Sequence, residues 1–285
     1  MIKIVEAAQR GRVAIIDTGT TPKTSTTPLD DATKAARDRI VGNGWDIEDE
    51  LTQNLMDPLI RELKDQGHWS DVVHLSAAGA RETVSGAIAT IPDWSGAQND
   101  ATQSDTAKQP TEALIGSKIA ADFDGSDILT IPSQLITGSQ NPTIFIVLKT
   151  QQTSDRKIVG AAGEGDWTTD NLESLNPSTE YGVRVSGGNE LYNTSPSGSK
   201  ELLTLRQNGP DVTDFQTWIN GNGLSVSSSE NITTNYKSGS ASYIGGEFDG
   251  PEFDGKIGSY LVFKVPLSNT NRSKIESMLQ DYYSI

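Results

Sequence analysis

The chain has 285 residues, no cysteine and a net charge of −15, from 38 acidic and 23 basic side chains. That balance repels phosphate backbones, and with no local basic patch it excludes nucleic acid as a partner. The missing cysteine excludes a disulfide-stapled module, thiolate metal sites and a cysteine nucleophile.

Residues 1–29 read as a separate extended arm. Met1–Glu6 lacks the long apolar core of a signal peptide, and Val13-Ala14-Ile15-Ile16 fits one short strand. The Thr/Pro run after it, Thr18 to Pro28, favours extended backbone and opposes helix. It has no core of its own, so it is either a linker or an arm ordered on a neighbouring subunit. No apolar run approaches the roughly 20 residues that cross a bilayer, so no membrane contact is expected.

Residues 30–89 are expected to form a small helical attachment unit. Asp30 and Asp31 suit a helix N-terminus, and Gly42 and Gly44 stop that helix. A second helix begins after Asp46, with Ile47, Leu51 and Leu55 on one face. Asp57-Pro58 reads as an N-cap and first-turn proline opening a third, with Leu59, Ile60 and Leu63 apolar and Gly67 as its end. His68 to Val73 resumes as a short turn or helix. So few apolar residues cannot stand alone, so the unit should pack on the β domain C-terminal to it.

From about residue 90 the apolar period becomes two. Strands are expected at 118–123, 127–131, 143–149, 157–161, 180–185, 202–207, 215–219, 224–227, 241–245 and 256–265. Asn220-Gly221-Asn222-Gly223 between two of them predicts a hairpin. Short strands without intervening helices imply an antiparallel sandwich, not a parallel sheet. Ser268 caps a closing helix whose Ile275, Met278, Leu279 and Tyr282 share a face that covers the sandwich.

Four blocks in order carry a resemblance. They are Asp93-Trp94-Ser95-Gly96 running into Asn99-Asp100-Ala101-Thr102-Gln103, then Asp122-Phe123-Asp124-Gly125-Ser126-Asp127, Tyr243-Ile244-Gly245-Gly246, and Phe253-Asp254-Gly255-Lys256-Ile257 with the terminal helix. Over residues 90–285 the chain resembles a concanavalin A-like (laminin-G-like) jelly roll. The stretch from Glu50 to Ser70 is similar to a helix pair that precedes such domains in bacteriophage tail, fibre or head-surface proteins. The resemblance implies a mainly β fold: an antiparallel jelly-roll β-sandwich preceded by an extended arm and a small helical unit.

Catalytic candidates are few. Glycosidases of this fold use paired carboxylates on a Glu-x-Asp-x-Glu type strand. Here Asp46-Ile47-Glu48-Asp49-Glu50 falls at a helix start, while Glu247-Phe248-Asp249 and Glu252-Phe253-Asp254 sit beside Gly and Pro in a loop. His68 and His74 lack the i, i+4 spacing of a metal pair, and no nucleophile elbow is present. Asp124-Gly125-Ser126-Asp127 reads as a hairpin turn rather than a calcium loop. The resemblance permits calcium at a sandwich edge without assigning ligands, so no cofactor is expected. Trp167, Asp170, Tyr192 and Asn193, aromatics beside polar groups in expected loops, are the candidate glycan contacts, or else they shield a loop base. Trp94 and Trp218 belong to the core or its rim.

The expectation is therefore a non-enzymatic virion protein. Its partners would be other capsid or tail proteins, further copies of itself, and host-surface glycans. A tail-fibre receptor-binding module and a glycoside hydrolase or lyase are the rival readings.

Overall fold

A computed structural model describes residues 28–137, 140–151, 156–162, 172–176, 181–185, 188–192, 197–229, 236, 241–246 and 252–285. The expected arm lies outside them except for Pro28 and Leu29. The strands are β1 (Asp46–Ile47), β2 (Val72–Ala77), β3 (Ala80–Val84), β4 (Ala87–Ile91), β5 (Ala101–Thr102), β6 (Thr111–Ile115), β7 (Lys118–Asp124), β8 (Leu129–Ile131), β9 (Thr143–Thr150) and β10 (Arg156–Ala162). They continue with β11 (Leu172–Asn176), β12 (Tyr181–Val185), β13 (Gly188–Tyr192), β14 (Lys200–Gln207), β15 (Phe215–Ile219), β16 (Asn222–Gly223), β17 (Val226–Ser229), β18 (Ser242–Ile244) and β19 (Asp254–Phe263).

Every pairing is antiparallel, and the pairings resolve into two sheets. The front sheet runs β1-β3-β4-β5-β8-β18-β10-β11-β12-β13-β17. In the back sheet β19 is central: β9, β14, β15 and β16 lie on one side of it. On its other side β7 pairs with its first half and β2 with its second, and β6 lies outside β7. The sheets meet at one corner, where Ala87 pairs with Thr111. This is the expected mainly β sandwich.

Strand β9 explains how the layers stack. Ile144, Ile146 and Leu148 join Leu129, Ile131, Val183 and Ile244 of the front sheet in the inter-sheet core. Phe145 and Val147 point the other way, into a second core shared with Ile40, Leu51, Leu59, Leu63, Ile275 and Leu279. A strand buried on both faces reads as one apolar run, which is why Thr143–Thr150 shows no alternation. The order is thus helices, back sheet, front sheet.

The helices are α1 (Asp31–Gly42), α2 (Asp49–Leu51), α3 (Asp57–Asp65) and α4 (Asn269–Tyr283). Asp30 caps α1 by accepting from Ala32 N–H at 2.9 Å, and Gly44 leaves it at φ +77°. The expected new helix at Asp57-Pro58 is not a fresh start. The chain stays helical from Asp49 to Asp65 through a π turn at Thr52–Met56, where Asp57 N–H reaches Thr52 C=O. Proline lacks the N–H for the ordinary ladder and crowds the preceding turn, and one wide turn absorbs both defects. Asp57 does not cap this helix; it accepts from Asp30 N–H at 2.6 Å and Arg61 Nε at 2.8 Å. Ser268 does cap α4, accepting from Asn271 N–H at 3.1 Å.

The stretch from Val72 to Ile91, placed by sequence with the helices, forms strands β2 to β4. Its apolar residues are short and Ala-rich, so neither period stands out. The outer edge of β2 is closed by the Asp93–Asp100 loop. Trp94 N–H bonds Leu75 C=O at 2.7 Å, and Leu75 N–H bonds Asp93 Oδ1 at 3.0 Å. Arg39 of α1 clamps this loop bidentately through Asp100, at 2.7 and 3.0 Å, and bonds Asp93 C=O at 2.6 Å.

The predicted hairpin is present. Asn220 at φ 52° and Gly221 at φ 78° form its two-residue loop, with Ile219 opposite Asn222. Trp218 lies half-buried at the rim with Arg206 and Arg272 guanidiniums 5.0 and 4.1 Å from its ring centroid, and Trp94 is fully buried.

Candidate functional site

Of the expected glycan contacts, Trp167, Asp170 and Asn193 lie outside the described residues. Tyr192 ends β13, and only its backbone is described.

The described surface offers a different site, a groove of about 460 Å³ on the outer face of the front sheet. Register builds it. Glu82 of β3 stands opposite Thr90 of β4, Thr90 opposite Thr102 of β5, and Thr102 opposite Thr130 of β8. The row continues from Thr130 to Tyr243 of β18. The neighbours Ala101, Leu129, Ile131 and Ile244 point inward to the core, so the threonines point outward. In β4 the register slips between Thr90 and Ile88, leaving Ala89 as an extra residue opposite β3. Such a bulge turns Ala89 and Thr90 to one face, and both line the groove.

Its rim is the segment after β5. Gln103 N–H bonds Ala89 C=O at 2.9 Å, and Gln103 Nε2 bonds Ile128 C=O at 3.0 Å. Gln109 Nε2 in turn bonds Gln103 C=O at 2.7 Å. Gln109 is 6% exposed, and its side-chain carbonyl has no hydrogen-bond partner among the described residues. Glu82 Oε2 accepts from Thr90 Oγ1 at 2.8 Å. The arrangement offers hydroxyl, amide and carboxylate groups around a small apolar floor of Ala89 and Val84. Such groups match the hydrogen-bonding chemistry of polyhydroxylated molecules.

Sequence reasoning missed these residues for a physical reason. Leu129-Thr130-Ile131 signals only an outward strand position. What aligns the threonines is pairing between distant strands, which no local pattern contains.

Asp124-Gly125-Ser126-Asp127 is a turn, as expected, with Gly125 at φ +89° and Asp124 Oδ1 accepting from Ser126 N–H and Oγ at 2.9 and 2.6 Å. It is not a hairpin, because β7 lies in the back sheet and β8 in the front, so this turn carries the chain across the sandwich. Among the described residues no group of three or more acidic or imidazole side chains is placed to hold a metal ion. Burial pushes the Asp127 carboxyl up to about 6, and the neighbouring charges of Asp124 and Asp122 push the same way, while the Asp124 N–H bonded to Asp127 Oδ2 at 3.0 Å opposes them. A raised carboxyl favours the fold fully below about pH 4 and loses that contribution as pH rises through about 6. Asp127→Asn mimics the protonated form. It should raise Tm by a few degrees at pH 7, with the gain vanishing toward pH 4, as read by thermal melts across that range.

Ser76 Oγ lies 2.8 Å from His74 Nε2, with Asp93 nearby, a combination that invites comparison with a hydrolytic triad. It cannot act as one. His74 and Ser76 are buried away from solvent. Both Asp93 oxygens are taken by Leu75, Ser95 and Asn99. Burial lowers the His74 pKa against the pull of Asp93 and Asp100, so the ring packs as neutral imidazole against Tyr260. His68 is likewise structural, its Nδ1 3.0 Å from Asp71. In the Asp46–Glu50 run, Glu50 pairs with Lys118, whose ammonium lies 4.5 Å over the Tyr282 ring.

No family model matches the sequence, and no curated protein does. In three dimensions the chain is similar to Trypanosoma rangeli sialidase, with a TM-score of 0.51 and 11% identity over 79% of this chain and 38% of that one. It is also similar to the receptor binding domain of botulinum neurotoxin D, with a TM-score of 0.52 and 12% identity over 73% and 53%. The fold is a lectin-like β-sandwich. The chain spans about two fifths and half of the lengths of these two structures, and at such identities the likeness speaks for the fold alone.

Proposed function

We propose that this chain is a non-enzymatic structural protein of a bacteriophage particle, attached through its arm and helices to capsid or tail and displaying a sandwich that binds host-surface glycans. The observation that carries the reading is the division of labour between the two outer faces. Helices α1 to α4 cover the back sheet, while the outer face of the front sheet bears an open groove lined by Glu82, threonines and glutamines. An assembly held through the helical side leaves the groove facing solvent. The resemblance of the Glu50–Ser70 helix pair to phage surface proteins supports the virion setting. A sandwich of this shape occurs in a sialidase, which supports carbohydrate as the ligand class, and in a toxin's receptor binding domain, which supports a recognition role. A non-catalytic role is supported by the carboxylates Asp93 and Glu50, each bonded to a structural partner.

A tail-fibre receptor-binding module would carry the same groove, and position on the particle separates the two readings. Antibodies raised against the purified chain should label intact particles, and the chain should be retained on host envelope polysaccharide without releasing sugar. Particles that lack the chain would sink the virion assignment, and sugar release would sink the non-enzymatic one.

A further inference from the structure

We infer that the front-sheet groove takes a neutral, hydroxyl-rich glycan lying across β4, β5 and β8, and that acidic sugars are excluded from it. The inference rests on the glycan-binding reading above and names the ligand class and the contacts. Thr90, Thr102 and Thr130 are successive partners on adjacent strands, so their hydroxyls recur at about 4.8 Å, comparable to the width of a pyranose ring. The hydroxyls of Thr102 and Thr130 can both donate and accept, as sugar hydroxyls do, while the buried Thr90 donates its proton to Glu82 and holds that carboxylate in place. Cross-strand threonines also stabilise sheets by themselves. That explanation leaves three features unaccounted for: the recess, the bulge that turns Ala89 and Thr90 together, and the unpartnered carbonyl of Gln109 beside them.

Charge selects among glycans. Glu82 is a groove-lining carboxylate, and among the described residues none that lines the groove is Lys, Arg or His. A carboxylate accepts two hydroxyls of a neutral sugar but repels a uronate or sialate, and the net charge of −15 adds to that repulsion. Val84, 40% exposed, and Ala89 supply the small apolar surface that the C–H face of a pyranose covers.

The test is affinity electrophoresis and calorimetry of the full chain against neutral glucans, mannans and galactans, and against polyuronate and polysialic acid. The expected result is binding to one or more neutral polymers and to neither acidic one. Thr102→Trp, on an exposed position, fills the groove and should abolish binding. The near-isosteric pair Thr102→Val with Thr130→Val removes two hydrogen bonds and should weaken binding roughly tenfold without lowering Tm. Binding that survives all these changes, or binding only to acidic polymers, overturns the groove assignment while leaving glycan recognition intact. Failure of the unaltered chain to bind any of the polymers overturns the glycan-binding reading itself.

Discussion

Asp93→Ala should lower folding stability by about 4 kcal/mol, read as a fall in urea midpoint at unchanged slope. Asp93 is fully buried, and its carboxylate accepts four hydrogen bonds. Leu75 N–H and Ser95 N–H reach Oδ1 at 3.0 and 2.9 Å, while Ser95 Oγ and Asn99 N–H reach Oδ2 at 2.7 and 3.1 Å. Alanine strands one buried and two part-buried N–H groups together; the buried one costs about 1–3 kcal/mol when left unpaired and the other two less, as water reaches them. The loss spreads, because this loop closes the edge of β2, buries Trp94 and receives Arg39 from α1. Asp93→Asn keeps one acceptor but turns an amide N–H₂ toward Asn99 N–H, and should cost about half as much. A loss below about 1 kcal/mol for alanine would show that the carboxylate does not organise the loop.

The same loop illustrates what sequence can carry. Asp93-Trp94-Ser95-Gly96 is recognisable as a block before its purpose is visible, because a buried acid needs donors within a few residues and Ser95 and Asn99 supply them locally. Strand β14 and the Asn220-Gly221 turn are legible for a similar reason, as alternation and positive-φ chemistry are local signals. The groove is not legible. Glu82, Thr90, Thr102 and Thr130 come from four strands, and only their register makes one surface of them. The strands before residue 90 escape notice because β2 is buried along most of its length, which erases alternation. The π turn before Pro58 is equally hidden, since sequence marks proline as a break and cannot say that a wider turn will absorb it.

Gly245→Ala should be strongly destabilising for so small a change, costing about 3–5 kcal/mol. Two penalties coincide there. Gly245 sits at φ +85°, where an L-residue is strained by about 1–2 kcal/mol. A methyl on its Cα would also overlap the ring of Phe123, which is fully buried between the sheets. The backbone cannot swing clear, because Gly245 N–H is held by Ile158 C=O and its own carbonyl by Phe253 N–H, both at 2.8 Å. Gly198→Ala provides the control: its φ of +68° is similar, but the nearest atom to an added methyl is Thr150 C=O at 4.0 Å, so only the conformational penalty of about 1 kcal/mol applies. Thermal and urea unfolding of the two variants separate strain from overlap. Adding Phe123→Leu to Gly245→Ala should leave the double variant less destabilised than the sum of its parts, since the smaller side chain vacates the space the methyl needs. Simple additivity would mean that the Gly-Gly bend after β18 is required for its backbone angle alone, and that the close approach of Phe123 is incidental.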